Sequence, residues 1–245
     1  MRICVAQTNA IKGNVQKNIE NHKKLINIAI SFGVDVIIFP ELSLTGFEPE
    51  LAKDLATTQN DVQFDDFQKI SDAKKIIIGV GMPTKSDAGI FISLLFFQPH
   101  LPRQTYSKQH LHSDEYPFFI NGHQQIYLSV DDTKMAPVIC YEISKSEHSE
   151  NAYVNGVKVY LASVLNAVNK VEKDIERLSA IAQKYGMTAV MANYVGESGG
   201  YDCGGKSSIW NDEGVLVGQL NAVDEGILVF DTDTKEVIER VVLNL

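Results

Sequence analysis

Cys140 closes the apolar run APVIC, and polar residues follow at once, with a helix expected to start near Ser144 or Ser146. A cysteine at a strand-to-helix turn is presented outward beside free backbone N–H groups, which can stabilise an oxyanion and lower a thiol pKa. That is nucleophile chemistry, although a free cysteine in such a run also serves as a small apolar core residue. Glu41 directly follows the apolar run VDVIIFP. It therefore stands at the C-terminal end of a buried strand, where α/β proteins place their sites; a helix cap or loop salt bridge is the plain alternative. Lys108 and Glu115 lie in YSKQHLHSDEYPFF, a mixture of aromatics, charges and histidines without periodicity. Such a stretch is either a site-forming loop or an ordinary solvated connection. Within it, His110 and His112 would share a face on a strand and, with Glu115, could ligate a metal. His148, His110 or His123 could each approach Cys140 as a general base. The glycine-rich stretch GESGGYDCGGK (196–206) lacks the ending of a phosphate loop at the right spacing. It reads as a loop, with Cys203 a candidate for lining a cleft.

These residues need a scaffold, and the chain has 245 residues, room for one large domain or two small ones. Apolar residues make up 44% and charged residues 22%, which excludes disorder as the main reading. The net charge of −9, without basic runs, argues against nucleic acid or an anionic membrane as partner. Three widely spaced cysteines suggest neither a disulfide framework nor a CxxC metal site, and fit a reducing compartment. No signal peptide or membrane-spanning run is visible, so a cytoplasmic location is expected. Short apolar runs alternate with amphipathic ones. Strands are expected at 2–8, 34–40, 74–82, 89–98, 103–111, 124–130, 134–140, 157–164, 187–193, 206–211, 215–220 and 226–232. Helices are expected at 15–32, between an Asn14 cap and a Gly33 stop, and at 171–186. Strand, helix, strand at the start favours an α/β class. With no linker or repeat, one domain over 1–245 with a large mixed sheet or two sheets fits.

Three segments, in order, resemble the nitrilase, or carbon–nitrogen hydrolase, superfamily. FPELSLTGF (39–47) is similar to its glutamate motif, YSKQHLHSDEYPFFING (106–122) to its lysine motif, and PVICYEISKSEHSE (137–150) to its cysteine motif. GGKSSIWNDEGVLVGQL (204–220) and DEGILVFDTD (224–233) look like its closing strands. The resemblance implies a four-layer α-β-β-α sandwich of the nitrilase type, paired as a homodimer or higher homo-oligomer. It implies a catalytic set of Glu41, Lys108 and Cys140, with Glu115 holding Lys108. The backbone N–H of Tyr141 would help receive the oxyanion. It implies no metal, no cofactor and no catalytic histidine. The substrate would be a small amide or carbamoyl compound cleaved through a thioester. Nitrile hydrolysis by the same residues, or a binding protein that kept the fold, are the other readings.

The chain departs from the family where an arginine and then an aromatic–proline pair often follow the cysteine motif. Ser144, Lys145 and Ser146 stand there instead. That arginine can bind the free carboxylate of dicarboxylic monoamides, and a lysine lacks its bidentate fork. Phe47, Ser144, Ser163 and Val164 are the expected substrate-binding residues. The length, with no synthetase domain, sets the glutamine-dependent NAD synthetase and lipoprotein acyltransferase branches aside.

Overall fold

The computed structural model describes residues 1–242; the last three residues of the expected 1–245 domain lie outside the described residues. The chain opens with β1 (Arg2–Gln7), α1 (Val15–Ser31) and β2 (Val36–Ile38). Asn14 caps α1 by accepting the Lys17 N–H at 3.1 Å, and Gly33 leaves the helix with φ +66°. The near-continuous apolar character of β1 and β2 has a direct cause. Ile3, Val5, Val36 and Ile38 pack against the other sheet, whereas Cys4, Ala6 and Ile37 pack under α1. Both faces are covered, so both need apolar side chains.

Two short helical pieces follow, α2 (Ala52–Leu55) and α3 (Asp65–Lys74). Then come β3 (Ile77–Ser86), β4 (Gly89–Phe97) and β5 (Gln104–Ser107), paired antiparallel in succession. The second half holds β6 (Leu128–Val130), β7 (Thr133–Ile139), α4 (Ser146–Val154), β8 (Val159–Ser163), α5 (Val171–Tyr185) and β9 (Thr188–Ala192). A two-stranded hairpin, β10 (Glu197–Ser198) and β11 (Tyr201–Asp202), precedes β12 (Ser208–Trp210), β13 (Leu216–Gln219), β14 (Glu225–Asp231) and β15 (Val237–Val242).

The strands form a seven-stranded sheet, β15-β14-β1-β2-β3-β4-β5, and a six-stranded sheet, β13-β12-β9-β8-β7-β6. One apolar cluster lies between the sheets and draws on both. A second lies under α1 and α3, and a third under α4 and α5. This is a single α/β domain with the four-layer α-β-β-α order. Among the described residues, no helix is long and apolar enough to cross a membrane.

The expected strands are present with shifted ends. The run 34–40 is a strand only over Val36–Ile38, and 124–130 only over Leu128–Val130. Neither α3 nor β15 was expected. In α3 only Phe67 and Ser71 are buried, so its apolar stripe is thin. β15 pairs with β14 alone, at the sheet edge, and no residue in it is fully buried.

Candidate active site

Glu41, Lys108, Glu115 and Cys140 converge on one cavity of about 540 Å³. Each arrives from a different place. Glu41 follows β2 by three residues in a turn where Leu42 has φ +55°. The turn is fixed from below: Leu44 N–H donates to Gly81 O at 2.9 Å, and Gly81 N–H to Ser43 Oγ at 3.1 Å. Gly81 has to be glycine, because a Cβ there would lie 2.2 Å from the Leu42 nitrogen. Tyr194 closes the turn from the other sheet by donating its hydroxyl to Glu41 O at 2.6 Å.

Lys108 follows β5, and its backbone is pinned by Lys108 N–H to Ile92 O and Gly122 N–H to Lys108 O. Its ammonium donates to Glu41 Oε1 at 2.7 Å and to Glu115 Oε1 at 2.6 Å, with no solvent exposure. Glu115 in turn accepts the His112 N–H at 2.7 Å. Burial works against a charged lysine, but the two carboxylates outweigh it and raise Lys108 above its ordinary range.

Cys140 follows β7 with φ +43° and opens a turn of 3-10 helix over Cys140–Ser144. A non-glycine residue there costs about 1–3 kcal/mol and persists only when its surroundings impose it. The thiol donates to Leu165 O at 3.5 Å. Burial, and then the charge of Glu41, push its pKa well above the ordinary thiol value. This reverses the lowered pKa expected from the strand-to-helix position: the enclosing walls and a nearby carboxylate outweigh the helix start. Glu41 itself is pushed up to about 7, chiefly by burial, with the Lys108 charge opposing and the Glu115 charge adding. Among the described residues its second oxygen, Oε2, is buried without a hydrogen-bond partner. The site at rest thus places a neutral thiol beside a buried carboxyl that titrates near neutrality.

Of the expected substrate-binding residues, Phe47 and Ser144 line the cavity, as does Tyr141. Ser163 and Val164 do not. Ser163 is buried and donates its hydroxyl to Phe39 O at 2.8 Å, and Val164 belongs to the core under α4 and α5. The wall is made just beyond them, by Leu165, Asn166 and Ala167, because β8 is still inside the sheet at Ser163. Cys203 is buried and does not line the cavity; Tyr201, two residues before it on β11, does. The histidines disperse. His110 pairs with Glu147, His112 with Asp114, and His148 with the hydroxyls of Tyr106 and Tyr160. His123 is exposed. Among the described residues no group of three or more His, Cys, Asp or Glu side chains is placed to hold a metal ion.

Of the residues at the mouth of the cavity, only Lys145 is singled out in the sequence. Lys170, Lys173, Asp174 and Arg177 line it from the start of α5, together with Lys145 and Asp114. Arg177 donates to Asp174 at 2.9 Å, while among the described residues Lys145, Lys170 and Lys173 form no ion pair with a carboxylate. Lys145 sits 4.6 Å from the Tyr141 ring centre and Lys170 5.9 Å from that of Tyr201. In sequence Lys170, Lys173, Asp174 and Arg177 look like the solvated face of an amphipathic helix, and only the fold brings them to the cavity that Cys140 lines.

The family model for carbon-nitrogen hydrolases matches residues 2–240. The glutamine-dependent NAD(+) synthetase of Acinetobacter baylyi is 25% identical over 244 residues, covering 96% of this chain and 44% of that protein. That of Aquifex aeolicus is 25% identical over 254 residues, covering 100% and 44%. The chain therefore spans less than half the length of the curated relatives it matches. This similarity runs against the length argument that set the synthetase branch aside. Among solved structures, a cysteine-to-serine mutant of the Nesterenkonia AN1 amidase from the nitrilase superfamily has a TM-score of 0.87 at 23% identity, covering 96% of this chain and 92% of that one. Another mutant of that amidase, in complex with butyramide, has a TM-score of 0.85 at 23% identity, covering 94% and 89%. A third shows covalent addition of the acetamide moiety of fluoroacetamide at the active-site cysteine, with a TM-score of 0.85 at 23% identity over 94% and 89%.

Proposed function

The chain belongs to the carbon–nitrogen hydrolase family, and on that premise we propose that it cleaves the C–N bond of a small amide or carbamoyl compound through a thioester on Cys140. The observation that carries this reading is the Lys108 ammonium clamped between Glu41 and Glu115 in the cavity that Cys140 lines.

Because the thiol is neutral at rest, attack is coupled to proton transfer. Cys140 Sγ bonds to the carbonyl carbon as its proton passes to Glu41, whose pKa of about 7 suits a general base near neutrality. The carbonyl electron pair moves onto oxygen, facing the Lys108 ammonium and the Tyr141 N–H. Collapse breaks the C–N bond, and Glu41 returns the proton to the leaving nitrogen, which departs as ammonia or an amine. Glu41 then takes a proton from water, the water oxygen bonds to the thioester carbon, and Sγ leaves and regains its proton. Glu115 holds Lys108 charged and aimed. The acetamide adduct on the Nesterenkonia amidase supports this reading by analogy of fold.

The mouth supports a class of acyl group. Four cations against Asp114 and Asp174 leave the outer cavity positive, in a chain whose net charge is −9. A positive mouth concentrates and orients an anionic substrate. We read the favoured substrate as an amide whose acyl chain ends in a carboxylate. Glutamine, named by the curated relatives, belongs to that class. As part of the same proposal two copies pair, so sedimentation should give twice the 27.1 kDa of one chain.

The test is ammonia release from a panel that includes butyramide, succinamate, glutamine and ureido acids. Cys140→Ala should abolish release while its circular dichroism and melting stay as in the parent. The carboxylate-bearing amides should show the lower KM, and Lys170→Ala with Lys173→Ala should erase that advantage. Release that survives in Cys140→Ala would refute the nucleophile. A KM order that ignores the carboxylate would refute the substrate class.

A further inference from the structure

Glu142 takes no part in the reaction above, yet it is buried without solvent exposure two residues beyond the nucleophile. Its Oε2 accepts the Ile139 N–H at 2.8 Å, and its Oε1 accepts the N–H groups of Gln109 at 2.6 Å and His110 at 3.3 Å. Ile139 immediately precedes Cys140 on the second sheet. Gln109 immediately follows Lys108, on the loop leaving the first sheet. One carboxylate thus ties together the backbone beside the two groups that must face each other across the substrate carbonyl.

A chain of side chains continues from it. The Tyr106 hydroxyl lies 2.9 and 2.8 Å from the two Glu142 oxygens and 2.8 Å from His148 Nε2. Gln109 Nε2 also reaches that hydroxyl, at 3.2 Å. His148 Nδ1 lies 2.7 Å from the Tyr160 hydroxyl. The three backbone groups on Glu142 can only donate, so they require an acceptor. With Glu142 ionised, every bond has one direction. Tyr160 donates to Nδ1, Nε2–H donates to Tyr106, and Tyr106 donates to Glu142. A protonated Glu142 reverses the chain: its O–H donates to Tyr106, Tyr106 donates to Nε2, and Nδ1–H donates to Tyr160. The tautomer of His148 therefore reports the state of Glu142.

We propose that Glu142 is a positioning residue, clamping the Cys140 turn to the Lys108 loop, and that the Tyr106–His148–Tyr160 chain favours its ionised form. The groups facing it fit this role. Burial pushes Glu142 up to about 7 against its backbone donors, Tyr106 and the Lys108 charge. Burial, helped by the His110 charge, takes His148 down to about 4, so the imidazole stays neutral in the working range. Glu147 on α4 is occupied by His110, 3.3 Å away.

Tyr106→Phe keeps the ring and removes the link. It should lower kcat about tenfold with KM within about twofold, the pattern of a misplaced catalytic pair rather than lost substrate contact. It should also move the acid limb of kcat to higher pH, because Glu142 loses a donor to its charged form. Glu142→Gln should cost more, since its amide turns N–H groups toward N–H groups; Tyr106→Phe decides the matter if that variant does not fold. In ¹⁵N NMR of histidine-labelled protein, His148 should be the Nε2–H tautomer at pH 8. It should cross to Nδ1–H as pH falls through about 7, and Tyr106→Phe should abolish the crossing. Wild-type kcat and acid limb in Tyr106→Phe, or an Nδ1–H tautomer at pH 8, would overturn the proposal. The kinetic readings rest on the hydrolase reading above. The tautomer does not, so absence of turnover in the parent enzyme would count against the reaction while the NMR still judged this inference.

Discussion

Lys108 is the residue on which the site's electrostatics turn. Its ammonium separates Glu41 from Glu115, at 2.7 and 2.6 Å. Lys108→Met would leave two buried carboxylates facing each other, and removing one partner of a buried ion cluster costs about 3–5 kcal/mol. We expect turnover to vanish and the urea midpoint to fall at pH 8, with part of the stability regained at pH 5 as a carboxylate takes up a proton. A midpoint unchanged at pH 8 would mean that the clamp contributes no stability. Glu41 makes its own prediction. In the proposed reaction the base form is needed, and the carboxyl is pushed up to about 7, so kcat/KM should fall about tenfold per pH unit below that value. A rate flat down to pH 5 would remove Glu41 as base. Alkylation of Cys140 should follow the same limb, ahead of the buried Cys4 and Cys203, because the thiol ionises only through its neighbour.

At the scale of elements, the site depends on how closely β3 approaches the Glu41 turn. Gly81→Ala would drive a Cβ to within 2.2 Å of Leu42 N and 2.6 Å of Pro40 O. Overpacking of this kind costs about 1–3 kcal/mol. We expect that loss in urea unfolding together with a fall in kcat of about a hundredfold, since a small displacement of a catalytic base is that costly. Normal kcat with lowered stability would show that the turn relaxes without moving Glu41. Such approaches explain what sequence could and could not disclose. The apolar runs that became β1, β2, β7 and β8 announce themselves because both of their faces are buried. The ends of those runs carry Glu41 and Cys140, so half of the site could be read from local pattern. Lys108 and Glu115 sat in an aperiodic loop, and only the family motifs singled them out. The cationic start of α5, Tyr201 on its hairpin and the acceptor role of Glu142 arise from contacts between distant segments, to which no local period points. α3 and β15 escaped for the opposite reason: each buries too little for a period to show.

Across the whole molecule, buried titratable groups oppose one another. Burial holds His22 at about 3 and His148 at about 4, so below pH 6.5 the unfolded chain binds protons that the folded one refuses. Stability from these two is complete above pH 6.5 and is lost as pH falls. Glu41 and Glu142, both raised to about 7, act the other way between 4.5 and 7: there the folded chain holds protons that the unfolded one has released. The two effects nearly cancel from 6.5 to 4.5. Below 4.5 the histidines, each at about 1.4 kcal/mol per pH unit until it titrates in the fold, are joined by carboxyls held low in the fold, Asp231 at about 2 among them. Urea midpoints should therefore form a shoulder down to about pH 4.5 and then drop steeply; a steep loss starting at pH 6.5 would show that the two carboxyls are not raised.

The most direct test of the account is intact mass spectrometry of the protein, acid-quenched within its first turnovers on succinamate, followed by peptide mapping. Hydrolysis through Cys140 predicts one acyl group per chain, carried on the peptide containing Cys140, with an equal burst of ammonia. Ammonia released without any acylated protein, or an acyl group on Cys203 instead, would contradict it.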